Sequence, residues 1–402
     1  MMKIKITVTL AIFFFQWYGV NAQQTLNETI KHDDRIRSYL LYIPATYTGS
    51  SSVPLVFNFH GFDQTTSYFM NKADFRPIAD TANVIVCYPQ GALDRYRNPD
   101  WNMVRRNLNN VDDIGFIDAL MDSLIAQYHI DTTRIYVTGY SNGGFFSYAL
   151  ACELSCRIAA IAPVKGKMDF YHFIRLCDCQ HPMPVLAINN TLDKSVLWYG
   201  DPTVEEVIDL WVNYNNCYPM PTMTSLPDLY SNDNITVERI VYSDGDNGVQ
   251  VELIKEIDHS QGSGHNYPAD YPGKPWYFDS PTEIWNFFSR YDIHGLIDPA
   301  GVIDSDDSTI QNFELVGNYP NPFNPCTTIE YTIPKRADVE LSIFNINGQK
   351  IKTLFSGKQD RGNYRMKWDG TNDDYLRVPS GTYLYILKID DTVVSNKMIL
   401  LR

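Results

Sequence analysis

The sequence predicts an α/β fold, a mostly parallel sheet covered by helices on both faces, followed by a small β-sandwich. Three observations carry this expectation. Between residues 54 and 291 short apolar runs alternate with helix-period stretches, as parallel strands joined by crossover helices do. One apolar run, Arg134 to Thr138, leads directly into Gly139-Tyr140-Ser141-Asn142-Gly143 and then into a small-residue helix start. Beyond residue 314 the helical period disappears, and strand-like runs are divided by Asn347-Gly348, Asp369-Gly370 and Ser380-Gly381.

Taken in order, residues 1–22 read as a signal peptide. Lys3 and Lys5 precede the apolar run Ile6–Val20, and small residues close it at Val20-Asn21-Ala22. The run is short for a membrane span, and no later segment reaches the roughly 18 apolar residues that one needs. Residues 25–45 alternate and open the sheet with an antiparallel strand. Pro54–Phe59 and Val84–Tyr88 are buried strands, and Phe69–Ala82 reads as one helix between them. Residues 112–128 carry apolar residues at helical spacing with acids in the first turn, where the helix dipole favours them. Further strands fall at Ile135–Thr138, Ile158–Val164, Val185–Ile188 and Val251–Ile257, and further helices at Val204–Tyr214 and Pro281–Tyr291. The first domain thus spans residues 23–291, and the acidic, polar stretch 292–314 reads as a linker. Residues 315–402 hold six short strand-like runs and form the sandwich.

Composition narrows the function. The 402 residues carry a formal charge of −14 and no Lys/Arg-rich block, which argues against nucleic acid and anionic membranes as partners. Seven cysteines in an exported chain point to disulfides, with pairing left open. Cys177-Asp178-Cys179 lacks the second pair or histidine that a metal site needs, so no metal is expected.

The chemistry centres on Ser141. A sharp strand-to-helix turn lifts a serine hydroxyl clear of the sheet, and glycines two residues either side let the backbone pack that tightly. The same turn aims the Asn142 amide at an oxyanion above Ser141. A serine nucleophile needs a base and a carboxylate to orient it. Asp193 follows the Val185–Ile188 strand and His265 follows the Val251–Ile257 strand, in the chain order Ser, Asp, His of an α/β-hydrolase. His265, in a glycine-rich loop, is preferred over His259. Phe62, after His60-Gly61, is the expected second oxyanion donor, with His60 orienting that loop. Trp101, Trp198 and Tyr199 fall in or near loops at the strand ends and could stack on an aromatic acyl group or a sugar.

The segments Tyr42-Ile43-Pro44, His60-Gly61, Tyr88-Pro89-Gln90-Gly91, Trp101-Asn102, Asp112-Asp113-Ile114-Gly115, Gly139-Tyr140-Ser141-Asn142-Gly143-Gly144 and Gly264-His265 carry a family resemblance across residues 35–290. The chain resembles the group of polyhydroxybutyrate depolymerases and feruloyl or acetylxylan esterases. The resemblance implies Ser141 as nucleophile, Asp193 as orienter and His265 as base, with no cofactor. Where that group has His-Gly-Thr ahead of the acid, this chain has Asn189-Asn190-Thr191. The tail, from Asn318-Tyr319-Pro320-Asn321-Pro322-Phe323 to Ser380-Gly381-Thr382-Tyr383, resembles the immunoglobulin-like sorting domain of type IX secretion. That resemblance implies the secretion machinery as a partner and an extracellular or cell-surface location.

The expectation is a secreted serine ester hydrolase that removes feruloyl or acetyl groups from plant polysaccharide. A polyhydroxybutyrate depolymerase is the second reading. A non-catalytic surface binding protein on a hydrolase fold is the third, and the complete Ser/Asp/His set speaks against it.

Overall fold

The computed structural model describes residues 23–104, 111–174, 177, 179, 181–227, 235–258, 264–268, 277–297, 314–319, 321–323, 327–359, 362–373, 376–390 and 392–401. The expected signal peptide and most of the expected linker lie outside these residues.

The chain opens with the hairpin β1 (Gln24–His32) and β2 (Arg35–Ile43), then β3 (Val53–Phe59). The single helix expected over Phe69–Ala82 is two, α1 (Thr66–Lys72) and α2 (Arg76–Ala82). Pro77 explains the break: it has no amide hydrogen to continue a helix from α1, and it sits at the first positions of α2. Next come β4 (Ile85–Pro89), a short ribbon of β5 (Ala92–Leu93) and β6 (Pro99–Asp100), and α3 (Asp113–Gln127), capped by the Asp112 carboxylate on the Gly115 amide. β7 (Ile130–Tyr140), α4 (Asn142–Glu153), β8 (Ala160–Val164), α5 (Phe170–Ile174), β9 (Val185–Asn190) and α6 (Val204–Tyr214) follow. A strand pair that the sequence reading missed, β10 (Thr222–Ser225) and β11 (Ile235–Tyr242), precedes β12 (Val251–Asp258) and α7 (Ser280–Phe288).

The ten strands line up as β1-β2-β4-β3-β7-β8-β9-β12-β11-β10. The pairs from β4 through β12 are parallel, and the edges on both sides are antiparallel. Every residue of β3 is buried, as a central strand covered on both faces requires. Its alternate residues enter two cores. Leu55, Phe57 and Phe59 join Ile117, Leu120, Phe146, Leu150 and Trp211 from α3, α4 and α6. Val56 faces Phe69, Ala79, Ile284 and Phe288 from α1, α2 and α7. Helices therefore flank both faces, and the carboxyl ends of the parallel strands all open on one rim of the sheet.

After a two-residue ribbon of β13 (Tyr291–Asp292) and β14 (Gly295–Leu296), the tail forms β15 (Glu314–Tyr319), β16 (Thr327–Ile333), β17 (Ala337–Asn345), β18 (Lys350–Gln359), β19 (Gly362–Trp368), β20 (Gly381–Ile389) and β21 (Thr392–Leu400). They make a three-stranded sheet, β15-β16-β19, and a four-stranded one, β18-β17-β20-β21. Ile329, Leu341, Trp368 and Leu387 pack between them in a separate core. This is the small antiparallel β-sandwich that the turn spacing predicts.

Candidate active site

β7 ends at Tyr140, and the chain turns at Ser141 with φ 54° and ψ −116° before α4 begins at Asn142. This left-handed backbone is rare for a non-glycine residue and marks strain held by its surroundings. The Ser141 amide donates to the Val164 carbonyl at 2.8 Å, while its own carbonyl accepts from Gly144 and Phe145. The flanking glycines have a steric reason. A Cβ on Gly139 would run into the Gly143 carbonyl, and one on Gly143 into the Phe59 carbonyl.

Asp193 follows β9 and His265 follows β12, at the strand ends where the sequence places them. Asp193 Oδ2 accepts from His265 Nδ1 at 2.7 Å, and His265 Nε2 lies 2.9 Å from Ser141 Oγ. Asp193 is buried, and its Oδ1 accepts the Ser195 and Val196 amides at 2.8 and 2.9 Å, so the carboxylate is fixed from behind. A carboxylate only accepts, so His265 carries its proton on Nδ1 and presents Nε2 as an acceptor to the serine hydroxyl. Tyr140 Oη donates to the His265 carbonyl at 2.5 Å and holds the histidine loop from below. Tyr140 occupies the variable position of the glycine-serine motif, so no sequence signal singled it out. His259, the rival base, lies outside the described residues.

The two expected oxyanion donors belong to the start of α4 and to the loop after β3. Asn142 is the first residue of α4, where backbone amides have no partner within the helix. The amides flanking Phe62 are engaged, Gly61 by Gln64 Oε1 at 3.1 Å and Asp63 by the Pro99 carbonyl at 2.9 Å. His60 is buried, and its Nε2 accepts from the Gly91 amide at 2.9 Å while Nδ1 donates to the Gly61 carbonyl at 2.7 Å. Burial, helped by the Arg37 charge, lowers its pKa to about 4, so it stays neutral and ties the loop at Gly61 to the one at Gly91.

The expected aromatic contacts need correction. Trp101 and Trp198 are each 2% exposed and cannot offer a face to a ligand. Trp101 stacks on Phe146 and meets Phe59 edge-on because its apolar ring completes the core beneath the site. Its Nε1 donates to the His60 carbonyl at 2.9 Å, and its backbone amide donates to Asn142 Oδ1 at 3.0 Å. It therefore bridges the segment at His60 and the start of α4, where the oxyanion donors are expected. Trp198 lies under Lys255, whose Nζ is 4.7 Å from its ring centroid. Tyr199 is 81% exposed and remains available for stacking.

Cys152 and Cys177 form a disulfide between the end of α4 and the loop beyond α5, which removes Cys177 from any metal set. Among the described residues His32, Asp33 and Asp112 lie close enough to share an ion, but Asp112 already caps α3. No described helix is long and apolar enough to cross a membrane.

Both parts of the chain are similar to known proteins. Residues 37–170 match the family model of the esterase PHB depolymerases, and residues 326–390 that of the FlgD Ig-like domain. A bifunctional acetylxylan esterase/xylanase of Neocallimastix patriciarum is 26% identical over 280 residues, covering 69% of this chain and 37% of that protein. Feruloyl esterase B of Piromyces equi is 28% identical over 167 residues, 41% of this chain and 30% of the other. Feruloyl esterase D of Neurospora crassa is 24% identical over 277 residues, 67% of this chain and 86% of the other. The chain thus spans only about a third of the first two relatives. Among solved structures, an acetyl xylan esterase from Aspergillus awamori superposes with a TM-score of 0.49 at 13% identity, over 66% of this chain and 98% of that one. Along its first sheet the chain is similar to carboxylic ester hydrolases of the PHB-depolymerase and feruloyl-esterase group, and along its tail to an immunoglobulin-like module.

Proposed function

We propose that this protein is a secreted serine ester hydrolase acting through Ser141, His265 and Asp193. The hydrogen-bonded run from Asp193 Oδ2 through His265 to Ser141 Oγ carries the reading. His265 Nε2 takes the hydroxyl proton as Ser141 Oγ attacks the ester carbonyl, and Asp193 stabilises the imidazolium that forms. The amides of Phe62 and Asn142 hold the oxyanion, in a place where such donors are worth several kcal/mol to the transition state. The imidazolium then protonates the leaving alcohol. Water, deprotonated by the same histidine, hydrolyses the acyl-enzyme and frees the serine. No cofactor enters this cycle.

The substrate we favour is a feruloyl or acetyl ester on plant polysaccharide, because the relatives named above are acetylxylan and feruloyl esterases. Exposed Tyr199 on the loop beyond the acid suits stacking on a sugar or an aromatic acid. The family model along residues 37–170 supports polyhydroxybutyrate as the second candidate. Residues 1–22 act as the signal peptide, 23–291 as the catalytic domain, 292–314 as a linker and 315–402 as a type IX secretion sorting domain.

The test compares ferulate or acetate release from arabinoxylan with clearing of a polyhydroxybutyrate suspension, using wild type and Ser141→Ala. Release by wild type alone is expected. Clearing without release would overturn the polysaccharide substrate, and a fully active Ser141→Ala would overturn the mechanism.

A further inference from the structure

Beneath the acid turn lies a buried ion pair that the reaction does not use. Lys165, the residue after β8, is wholly buried, and its Nζ stands 2.6 Å from Glu256 Oε2 on β12. Such pairs contribute little net stability, and apolar side chains of similar volume often serve as well or better. Lys165 also holds φ at 49°, a left-handed conformation that is unfavourable for a non-glycine residue. Stability alone does not explain a charged, strained residue at this place.

Its contacts lead to both halves of the site. Glu256 Oε2 also accepts from Asn190 Nδ2 at 3.1 Å, and Asn190 Oδ1 accepts the Leu192 amide at 2.8 Å. The Glu256 carbonyl takes the Thr191 amide at 2.9 Å, and the Asn190 carbonyl takes the Asp193 amide at 3.3 Å. The turn that presents Asp193 therefore rests on Asn190 and Glu256, with Thr191 Oγ1 also accepting the Asp258 amide at 3.1 Å. Gly264, one residue before His265, rests on the Asn190 side chain, since a Cβ there would lie 2.5 Å from Asn190 Oδ1. On the other side, Val164, whose carbonyl accepts the Ser141 amide, directly precedes Lys165. The Lys165 amide donates to the Ile188 carbonyl at 2.7 Å, and Asn189 Nδ2 donates to the Gly166 carbonyl at 3.0 Å.

We propose that Lys165, Glu256 and Asn190 are positioning residues that set the spacing between the nucleophile turn and the acid turn. The inference rests on Ser141, His265 and Asp193 forming the catalytic set. It also gives a use to Asn189-Asn190, the dipeptide that departs from the family pattern.

The test uses the full chain and p-nitrophenyl acetate. Asn190→Ala cuts the link to the acid turn and leaves Lys165 and Glu256 paired. Lys165→Met/Glu256→Leu removes both charges together, so no unpaired charge is left buried. Each should lower kcat about tenfold or more with KM within about twofold, because small displacements of catalytic groups cost rate rather than binding. The triple variant should be little worse than either parent, since all three changes interrupt one network. Melting temperatures should stay within a few degrees of wild type. Folded variants with wild-type kcat, or losses that multiply in the triple, would overturn the proposal. If the double variant does not fold, Asn190→Ala decides alone. Ser141→Ala is run beside them. Its inactivity with fully active network variants would sink only this inference, whereas its activity would sink the catalytic reading on which the inference rests.

Discussion

Ser141 is held in its left-handed turn by neighbours that do not depend on its hydroxyl. Removing that hydroxyl, or the His265 ring, should leave the fold intact. Each change should lower kcat on a soluble ester by on the order of 10⁶, as loss of such a residue does in another serine hydrolase. A folded His265→Ala enzyme that keeps a tenth of wild-type turnover would refute the assignment. The aromatic residues divide by burial. Trp101→Phe keeps the stacked ring but loses the bond to the His60 carbonyl, so kcat should fall with KM unchanged. Tyr199→Ala should raise KM on the polymer and move stability by less than about 0.5 kcal/mol, as exposed sites do. Michaelis kinetics on both variants separate the two roles. His60 makes a pH prediction. Its folded pKa, about 4, lies below the 6.5 of a free imidazole, so the unfolded chain binds the extra proton first. Its contribution is present above pH 6.5 and is lost as pH falls towards 4, by up to about 3 kcal/mol. Urea titrations across that range should show a shallower decline for His60→Asn.

At the scale of elements, α4 carries the turn of the proposed nucleophile at its start and is anchored at its end. Glu153, its last residue, stands 3.7 Å from His172 Nε2, an ion-pair distance rather than a hydrogen bond, and Asp169 binds Nδ1 at 2.6 Å. Burial opposes a charge on His172, but the two carboxylates outweigh it and raise the pKa to about 9. A raised pKa means that this anchor is fully present below pH 6.5 and is lost as pH rises through 9. The melting temperature should fall by a few degrees across that interval and stay flatter in His172→Gln. A thermal scan of both proteins at the two ends of the range checks it. The Cys152–Cys177 disulfide fastens the same helix end covalently. α6 starts and ends where the sequence predicts, and the structure adds the reason for its start: Thr203 and Glu206 form a reciprocal cap there. The break between α1 and α2 lies at Pro77, whose local effect outweighs the apolar spacing that runs on through both helices.

For the whole molecule, the tail has its own two sheets and its own core, so it should behave as an independent module. Deleting residues 315–402 should leave kcat/KM on soluble esters within a few-fold. In the native host the truncated chain should fail to reach the surface or the medium. Normal export of the truncated protein would remove the sorting role.

The sequence by itself determined the elements whose signals are local. The turn at Ser141 announces itself through two glycines at fixed distances from a serine, and the proposed acid Asp193 and base His265 through their places after apolar strands. Six of the seven tail strands, β16 to β21, are legible through dipeptide turns such as Asn347-Gly348, whereas β15 is not among the expected runs. Contacts made across the fold were not legible. β10 and β11 were missed because an antiparallel edge half open to solvent lacks the continuous apolar run of a central strand. Trp101 and Trp198 read as surface aromatics because loop position does not reveal burial, which depends on what packs above the loop. Asn190 and Glu256 stand on β9 and β12 and Lys165 just beyond β8, up to 91 residues apart, and a lysine following an apolar strand carries no sign of its partner. Only the tertiary structure brings them together, because parallel strands joined by crossover helices bring their carboxyl ends side by side however far apart they lie in the chain.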